Sequence, residues 1–140
     1  MDIKIRLLDK KCEPYRAYPT DSGLDLRARI DKPLLLWNGE TKVIPVGVAI
    51  ALPQGYEAQI RPRSGLSKNG IFAIFGTIDN SYRGEIKVTL YNSGTVTQIQ
   101  PYERIAQLVI APVVIPEIEY VDELTPTERG DRGHGSTGAI

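Results

Sequence analysis

Short segments of alternating side chains constrain the fold of this chain more than any other feature. Residues 85–91, EIKVTLY, place three aliphatic side chains on one face and polar side chains on the other, and residues 3–7 alternate in the same way. Because successive side chains of a strand point to opposite faces, a period of two is typical of a half-buried β-strand. The sequence therefore predicts strands that each cover one side of a core.

Further runs of β-branched and aromatic residues lie between turn sequences, at residues 43–52, 56–61, 71–75 and 105–114. With 13 glycines and 10 prolines in 140 residues, no long helical stripe persists. The spacing predicts an all-β sandwich or jelly roll of short strands. Since there is no internal repeat or linker, we expect one domain over residues 1–140, with a core of about 1–126 and a C-terminal arm of about 127–140.

Composition and charge argue against several classes of function. Basic and acidic residues each total 17, so the net charge is zero and a nucleic-acid partner is not expected. No apolar run approaches the roughly 18 residues of a membrane span, and the charged N-terminus is not that of a signal peptide. The lone Cys12 excludes an internal disulfide and fits a reducing compartment. We expect a cytoplasmic protein, or one of the host-cell cytoplasm or nucleus if its source is a virus.

The C-terminal segment differs from the rest of the chain. Residues 129–138, RGDRGHGSTG, contain four glycines and two arginines. With so little apolar surface the segment cannot order itself by burial, so we expect it to be flexible in the free protein. Glycine backbone, arginine and hydroxyl groups could enclose a phosphate. A flexible terminus of accidental composition explains the same residues equally well.

Two loops beside predicted strands carry side chains that suit a phosphate or a metal ion. Arg61, Arg63 and Ser64 could grip a phosphate, although a surface turn with solvated arginines is the commoner case. Asp25 stands between two leucines, so the pleat should point its carboxylate away from them. That carboxylate could hold a hydrated Mg²⁺, which prefers oxygen ligands, or it could be an ordinary turn aspartate.

The segment at residues 76–84, GTIDNSYRG, lies between two predicted strands and favours a hairpin. Asp79 could act as a general base on water, and Tyr82 could stack on a sugar or base. Turn chemistry alone also explains this composition. The chain has no Cys/His metal set, no Ser-His-Asp set and no dinucleotide fingerprint, and its lone His134 cannot build a zinc site.

Taken in order, five segments resemble the motifs of the trimeric dUTPase family. They are SGLDL at 22–26, RSGL at 63–66, GTID through YRGE at 76–85, ERIAQL at 103–108, and RG through GSTG at 129–138. The resemblance implies a β jelly roll (a β-clip barrel) that assembles as a homotrimer, with each active site shared among chains. It also implies a Mg²⁺-dependent enzyme that hydrolyses dUTP to dUMP and pyrophosphate, which keeps uracil out of DNA and supplies dUMP for dTMP synthesis.

The resemblance also implies a role for individual residues. Asp79 would activate the water that attacks the α-phosphorus, Tyr82 would pack under the deoxyribose, and Asp25 would hold Mg²⁺ through its waters. Uracil would be recognised through main-chain groups around Thr77, Ile78 and Lys87. The phosphates would be contacted by Arg63, Ser64, Gly65 and Gln107. The arm of a neighbouring chain would close the site with Arg129, His134, Gly135, Ser136 and Thr137.

The sequence departs from the family pattern at a few positions. His134 stands where the family usually has a phenylalanine over uracil; an imidazole can also stack, with less area and with a charge near pH 6.5. Ser81 replaces a frequent second aspartate, and Ala73 falls where many relatives have asparagine. The stretch between Leu66 and Gly76 is also shorter than in many relatives.

Two other functions fit the same fold. A dCTP deaminase would need an acid or base beside the amino-bearing carbon of cytosine, where the predicted hairpin offers only Asp79, and that family lacks an arm like residues 129–138. A non-catalytic nucleotide sensor or regulatory module is the second alternative. Because every expected catalytic position is filled, we expect an enzyme, and pyrophosphate release from dUTP would separate these cases.

Overall fold

Eleven β-strands form the body of the molecule in a computed structural model that describes residues 1–140. The only helical elements are a 3₁₀ turn at Lys10–Cys12 and a four-residue helix, α1, at Ser64–Ser67. No helix has both the length and the apolar character needed to cross a membrane. The all-β prediction is confirmed. The strands are β1 Lys4–Leu7, β2 Gly23–Arg27, β3 Leu34–Leu36, β4 Thr41–Pro45, β5 Val48–Ala51, β6 Tyr56–Arg61, β7 Ile71–Ala73, β8 Gly76–Ile78, β9 Lys87–Asn92, β10 Thr97–Ile99 and β11 Arg104–Pro112.

The strands pair in four antiparallel sheets. The largest has the order β2–β11–β6–β8, the next has the order β4–β9–β7, and two pairs, β1–β5 and β3–β10, complete the body. The nine-residue β11 is bonded on both sides, to β2 and to β6. The four-stranded sheet therefore carries the first, second and fourth sequence motifs on or beside adjacent strands.

The core follows the predicted alternation. Ile86, Val88 and Leu90 are buried, while Lys87 between them is exposed. Aliphatic side chains from every large sheet meet them in one cluster, so the apolar faces bury each other as packed sheets require. Other members of this cluster are Leu26, Leu36, Ile44, Val48, Ile60, Ile99, Ile105 and Leu108.

The apolar run at residues 43–52 does not form a single strand. The run is divided between β4, which pairs with β9, and β5, which pairs with β1. Gly47 lies at the break with φ of +69°, a left-handed conformation that favours glycine. A Cβ there would lie only 2.7 Å from the Sγ of Cys12. The change of direction sends the chain from one sheet to another, which a hydrophobic run alone does not reveal.

The predicted hairpin at residues 76–84 is also only partly correct. Its flanking strands β7 and β9 are antiparallel partners, but their connection is long, and its first residues form β8 on another sheet. The strands β3 and β10 were not predicted, because three residues are too few to display a period of two.

The chain leaves the sheets after β11. The backbone N–H of Val113 donates to the carbonyl of Gly55 at 2.9 Å, and residues 114–140 are all exposed. Several of them are large apolar residues, including Ile118, Tyr120 and Leu124. The proposed division of the chain near residue 126 stays a prediction.

Candidate active site

A concave pocket of about 230 Å³ lies between β8 and the start of β9. It brings together the four residues that the sequence assigned to the nucleoside and the predicted base Asp79, and it adds the buried Ile86. Its lining residues are Thr77, Ile78, Asp79, Tyr82, Ile86 and Lys87. The pocket is therefore formed by the third motif together with Ile86 and Lys87, the two residues that follow it.

The pocket forms because the consecutive strands β7 and β8 belong to different sheets. β7 pairs with β9 as far as Ala73 opposite Leu90, and the N–H of Ile74 still donates to Thr89 at 2.8 Å. The chain then crosses to β6 and becomes β8, an edge strand. An edge strand presents a row of backbone N–H and C=O groups on its unpaired side. Those groups can recognise a planar ligand by hydrogen bonds that no side chain needs to supply.

The loop that carries Asp79 is anchored by its neighbour Asn80. The Asn80 amide donates to the carbonyls of Pro53 at 2.8 Å and Tyr56 at 3.0 Å. The N–H of Tyr82 donates to the carbonyl of Asp79 at 3.0 Å and closes the turn. The anchored turn leaves the Asp79 carboxylate exposed at the rim of the pocket. Sequence reasoning missed Asn80, because its partners lie more than 20 residues away along the chain.

Tyr82 is fixed at the same rim. Its hydroxyl donates to the carbonyl of Glu85 at 2.9 Å, and 43% of the residue's surface remains exposed. The end of the ring lies over Gly84, where a Cβ would lie 2.5 Å from the Tyr82 Oη. A side chain at residue 84 would displace the ring, which is positioned by both a contact and a hydrogen bond.

The carboxylate of Asp25 lies in a second cluster, between two arginines. Arg63 Nε is 3.1 Å from Asp25 Oδ1, and Arg104 Nη1 is 3.1 Å from Oδ2. Arg63 also donates to the backbone carbonyl of Arg104 at 2.8 Å. Leu26 is buried while Asp25 faces this cluster, as the pleat predicted. Arg104 was missed because its position in a strand gave no reason to single it out.

Gln107 extends this second cluster. It lies opposite Asp25 in the β2–β11 pair, and its amide donates to the carbonyl of Pro62 at 2.9 Å. Gln107 lines a concavity of about 220 Å³ together with Asp25 and other residues of the first motif. The guanidinium of Arg104 also lies 4.7 Å from the ring centroid of Tyr15, which is a cation–π contact. Ser64 and Gly65 begin α1 and are exposed.

Glu103, at the start of the fourth motif, has an unsatisfied buried atom. Its Oε2 is buried without a hydrogen-bond partner, and the residue lines a cavity of about 450 Å³ behind α1. Burial raises the pKa of the Glu103 carboxyl above its ordinary value, and the charge of Arg63 opposes that rise. A buried carboxylate with an unpaired oxygen costs stability when it is ionised.

The predicted site residues of one chain fall into three separate groups. The Asp25 cluster is on the β2 side of the four-stranded sheet and the nucleoside pocket is beside β8 at the other edge. The two edges are three strand spacings apart, or about 14 Å. The arm residues Arg129, His134, Gly135, Ser136 and Thr137 are exposed. The hydrogen bonds around Arg129 stay within the arm, to Arg132 and its neighbours.

The fold and the two groups of side chains indicate the general class of protein. A pocket lined by an edge strand and an aromatic ring suits a nucleobase and its sugar, and the two arginines beside Asp25 suit phosphates. Together with the antiparallel sheets, they place the chain among all-β proteins that handle nucleotides.

Comparison with known proteins identifies the family. A family model described as dUTPase matches residues 9–138. The deoxyuridine 5'-triphosphate nucleotidohydrolase of Burkholderia cenocepacia is 46% identical, with 99% of each chain covered. That of Maricaulis maris is 47% identical, over 97% of this chain and 95% of the relative. The chain belongs to the dUTPase family, and its predicted place among the hydrolases of nucleotide metabolism is confirmed.

Solved structures agree with this assignment. The dUTPase of Staphylococcus bacteriophage 80alpha with dUpNHpp superposes with a TM-score of 0.90, at 29% identity and with 99% of each chain covered. A mutant dUTPase from phage phi11 of S. aureus, described for its coordination of a structural Mg(II) ion, has a TM-score of 0.81 at 26% identity. That similarity covers 90% of this chain and all of the phage chain.

Proposed function

We propose that this chain hydrolyses dUTP to dUMP and pyrophosphate, with Asp79 as the general base. The observation that carries the proposal is the pocket of the third motif, which has a backbone edge, an aromatic ring and one exposed carboxylate at its rim. The Burkholderia and Maricaulis relatives are named for dUTP, and the bacteriophage 80alpha enzyme holds dUpNHpp. These names favour dUTP hydrolysis over the deaminase and the non-catalytic module.

Uracil binds along the free edge of β8. Uracil presents an acceptor, a donor and an acceptor along its pairing edge, and backbone groups around Thr77, Ile78 and Lys87 can match them. Cytosine reverses two of these groups, so it would leave buried polar atoms of the pocket unpaired, which costs about 1–3 kcal/mol each. The site can therefore select its base without a dedicated side chain.

The chemical step is an in-line displacement at the α-phosphorus. The oxygen of a water forms a bond to the α-phosphorus while the bond from that phosphorus to the bridging oxygen breaks. Asp79 takes the proton of the water, and the bridging oxygen leaves with pyrophosphate. Asn80 supports the step because it fixes the turn that presents the carboxylate.

The second cluster binds the phosphates. Arg63 and Arg104 share the single carboxylate of Asp25, so this group of three charges has an excess of one positive charge. That excess suits a triphosphate, since charge-assisted hydrogen bonds to phosphate are the strongest available to side chains. Ser64, Gly65 and Gln107 complete the phosphate contacts.

Asp25 fits a hydrated magnesium ion. Asp25 Oδ2 accepts a hydrogen bond from Arg104, and Oδ1 is in ion-pair contact with Arg63, which leaves a lone pair on each oxygen for a water of the ion. Direct coordination would compete with both arginines, so the residues fit a cation held through its water shell. Bound Mg²⁺ would supply neutralisation of the triphosphate charge.

A complete site then requires several chains. The nucleoside pocket and the Asp25 cluster lie at opposite edges of the four-stranded sheet, and the edge strands of one chain are about 14 Å apart. In a homotrimer, the pocket of one chain can face the Asp25 cluster of a second. The exposed arm of a third can cover both, with His134 over uracil. Arg129, Gly135, Ser136 and Thr137 then enclose the terminal phosphates.

Replacement of Asp79 tests the proposal. Asp79→Asn keeps the shape and removes the basicity, so turnover of dUTP should fall by on the order of 10² or more, while dUpNHpp still binds. Pyrophosphate release, with and without Mg²⁺, and calorimetric titration are the measurements. Asp31→Asn, an identical change at an exposed aspartate outside the site, is the control. Near-normal turnover by Asp79→Asn would remove Asp79 from the mechanism.

A further inference from the structure

We propose that Arg29 and Glu85 form a positioning clasp that sets the sugar selectivity of the site. Neither residue lines the nucleoside pocket. The clasp acts through Tyr82, whose ring would pack under the deoxyribose and leave no room for a 2′-hydroxyl, so the inference rests on the proposed function. It adds a specificity-determining pair to the third motif that the sequence pattern did not single out.

The clasp is a two-pronged ion pair with a third partner. Arg29 Nε donates to Glu85 Oε2 at 2.7 Å, and Arg29 Nη2 donates to Oε1 at 2.6 Å. The backbone N–H of Gly47 donates to the same Oε2 at 2.9 Å. The N–H of Arg29 in turn donates to the carbonyl of Pro45 at 2.8 Å. The end of β2, the turn between β4 and β5, and the end of the third motif are therefore joined at one carboxylate.

Burial and charge make this pair more rigid than an ordinary surface pair. The Glu85 side chain is only 14% exposed, whereas that of Arg29 is 40% exposed. The guanidinium holds the pKa of the Glu85 carboxyl below its ordinary value, with help from the Gly47 N–H. A bidentate guanidinium–carboxylate contact fixes orientation as well as distance.

The clasp reaches the pocket through the backbone of Glu85. Its carbonyl accepts the Tyr82 hydroxyl at 2.9 Å, and the next residue, Ile86, is bonded to β5 through its N–H and lines the pocket. The ring of Tyr82 is thus positioned relative to a peptide whose side chain is held at three points. Small displacements of a positioning group change selectivity, since an added hydroxyl is rejected only by close contact.

The chain offers a matched pair for comparison. Lys42 on β4 and Glu40, which directly precedes β4, form an ion pair at 3.1 Å, with side chains 43% and 31% exposed. Neither residue lines the pocket or the Asp25 cluster. Loss of such an exposed pair is expected to change little. Glu40→Gln therefore repeats the chemical change of Glu85→Gln where no link to Tyr82 exists.

The experiment measures the ratio of kcat/KM for dUTP to kcat/KM for UTP by pyrophosphate release from the full-length protein. Arg29→Met and Glu85→Gln should each lower this ratio by about fivefold, roughly the value of one net hydrogen bond. Arg29→Lys keeps the charge but loses the second hydrogen bond to Glu85, so its dUTP/UTP ratio should lie between those of the native chain and Arg29→Met. Glu40→Gln should leave the ratio unchanged.

A second pair of variants tests the route through Tyr82. Tyr82→Phe removes the hydroxyl that reaches the Glu85 carbonyl, so Glu85→Gln should add no further loss of selectivity in that background. Full additivity of the two changes would overturn the route. A lower Tm for both clasp variants with an unchanged dUTP/UTP ratio would overturn the proposal and leave the pair a purely structural role.

Failure of the clasp proposal can be distinguished from failure of the proposed dUTP hydrolysis. If the native chain releases no pyrophosphate from dUTP, the proposed function fails before any ratio is measured. If the native chain prefers dUTP and the clasp variants keep that preference in full, only the clasp proposal fails.

Discussion

The site residues of the body and those of the C-terminal arm are held in opposite ways. In the body, Asp25 lies between two arginines and Asp79 stands on a turn anchored by Asn80. In the arm, Arg129 bonds only to its near neighbours, and every residue from 114 onward is exposed. The body therefore presents its half of the site before any ligand binds. We therefore expect that a ligand or a neighbouring chain must order the arm, at a cost of roughly 1–2 kcal/mol of backbone entropy per residue.

The largest expected effect comes from removing the arm. Deletion of the residues after Arg129 should lower turnover by on the order of 10², because the terminal phosphates lose their cover, while Tm stays within about 2 °C of the native value because no sheet is touched. Pyrophosphate release and thermal unfolding are the two measurements. A Tm that falls with turnover would show that the arm also stabilises the body, and the contrast between the regions would disappear.

Trimers mixed from two inactive variants test whether the arm of one chain serves the body of another. An Asp79→Asn chain supplies an intact arm, and an arm-deleted chain supplies an intact Asp79. Each should be inactive alone, and reassembly from a mixture should restore part of the activity if one chain's arm covers another chain's pocket. Native mass spectrometry establishes that mixed trimers are present. Mixed trimers without recovered activity would confine each site to one chain.

A smaller effect is expected at His134, the arm residue proposed to lie over uracil. His134→Phe adds stacking area and should preserve or improve the affinity for dUpNHpp, whereas His134→Gly should weaken it by about 1 kcal/mol, roughly fivefold. His134 has φ of +46°, so glycine imposes no backbone penalty there. Calorimetric titration of dUpNHpp into all three proteins at pH 8 is the measurement. Weak binding by Phe combined with native binding by Gly would exclude a stacking role.

The smallest effect concerns the one buried unsatisfied oxygen of the body. The raised pKa of Glu103 means that the folded state binds its proton more tightly than the unfolded chain does, so stability falls as pH rises through the folded pKa. Glu103→Gln should therefore raise Tm by a few degrees at pH 8, about 2–4 °C, and the gain should shrink as the pH falls through the folded pKa toward 4.5, the ordinary value. An unchanged Tm at pH 8 would mean that the assembled protein supplies Glu103 with a partner.

The sequence predicts the body of the fold better than the connections between its strands. Alternation at residues 85–91 predicted which side chains of β9 are buried, because burial and pleat share a period of two. The break at Gly47 and the departure of β8 toward β6 depend on contacts between segments far apart in the chain. No local pattern contains that information.

The same distinction applies to the site. Asp25, Asp79 and Tyr82 could be named from their place in ordered motifs. Asn80 and Arg104 could not, since their roles come from the distant carbonyls and the carboxylate that they contact. Groups that touch a ligand leave a trace in short motifs, whereas groups that hold those residues in place become visible only when the chain is folded.

The free edge of β8 bears on drug resistance. Recognition through backbone groups cannot be abolished by an ordinary exchange of side chains at Thr77 or Ile78, because every residue but proline keeps the same N–H and C=O. A compound that pairs with this edge as uracil is proposed to do would leave few single-residue routes of escape. Most escape changes would have to arise in the walls of the pocket, at Tyr82 or Ile86, where they would also impair use of the natural substrate.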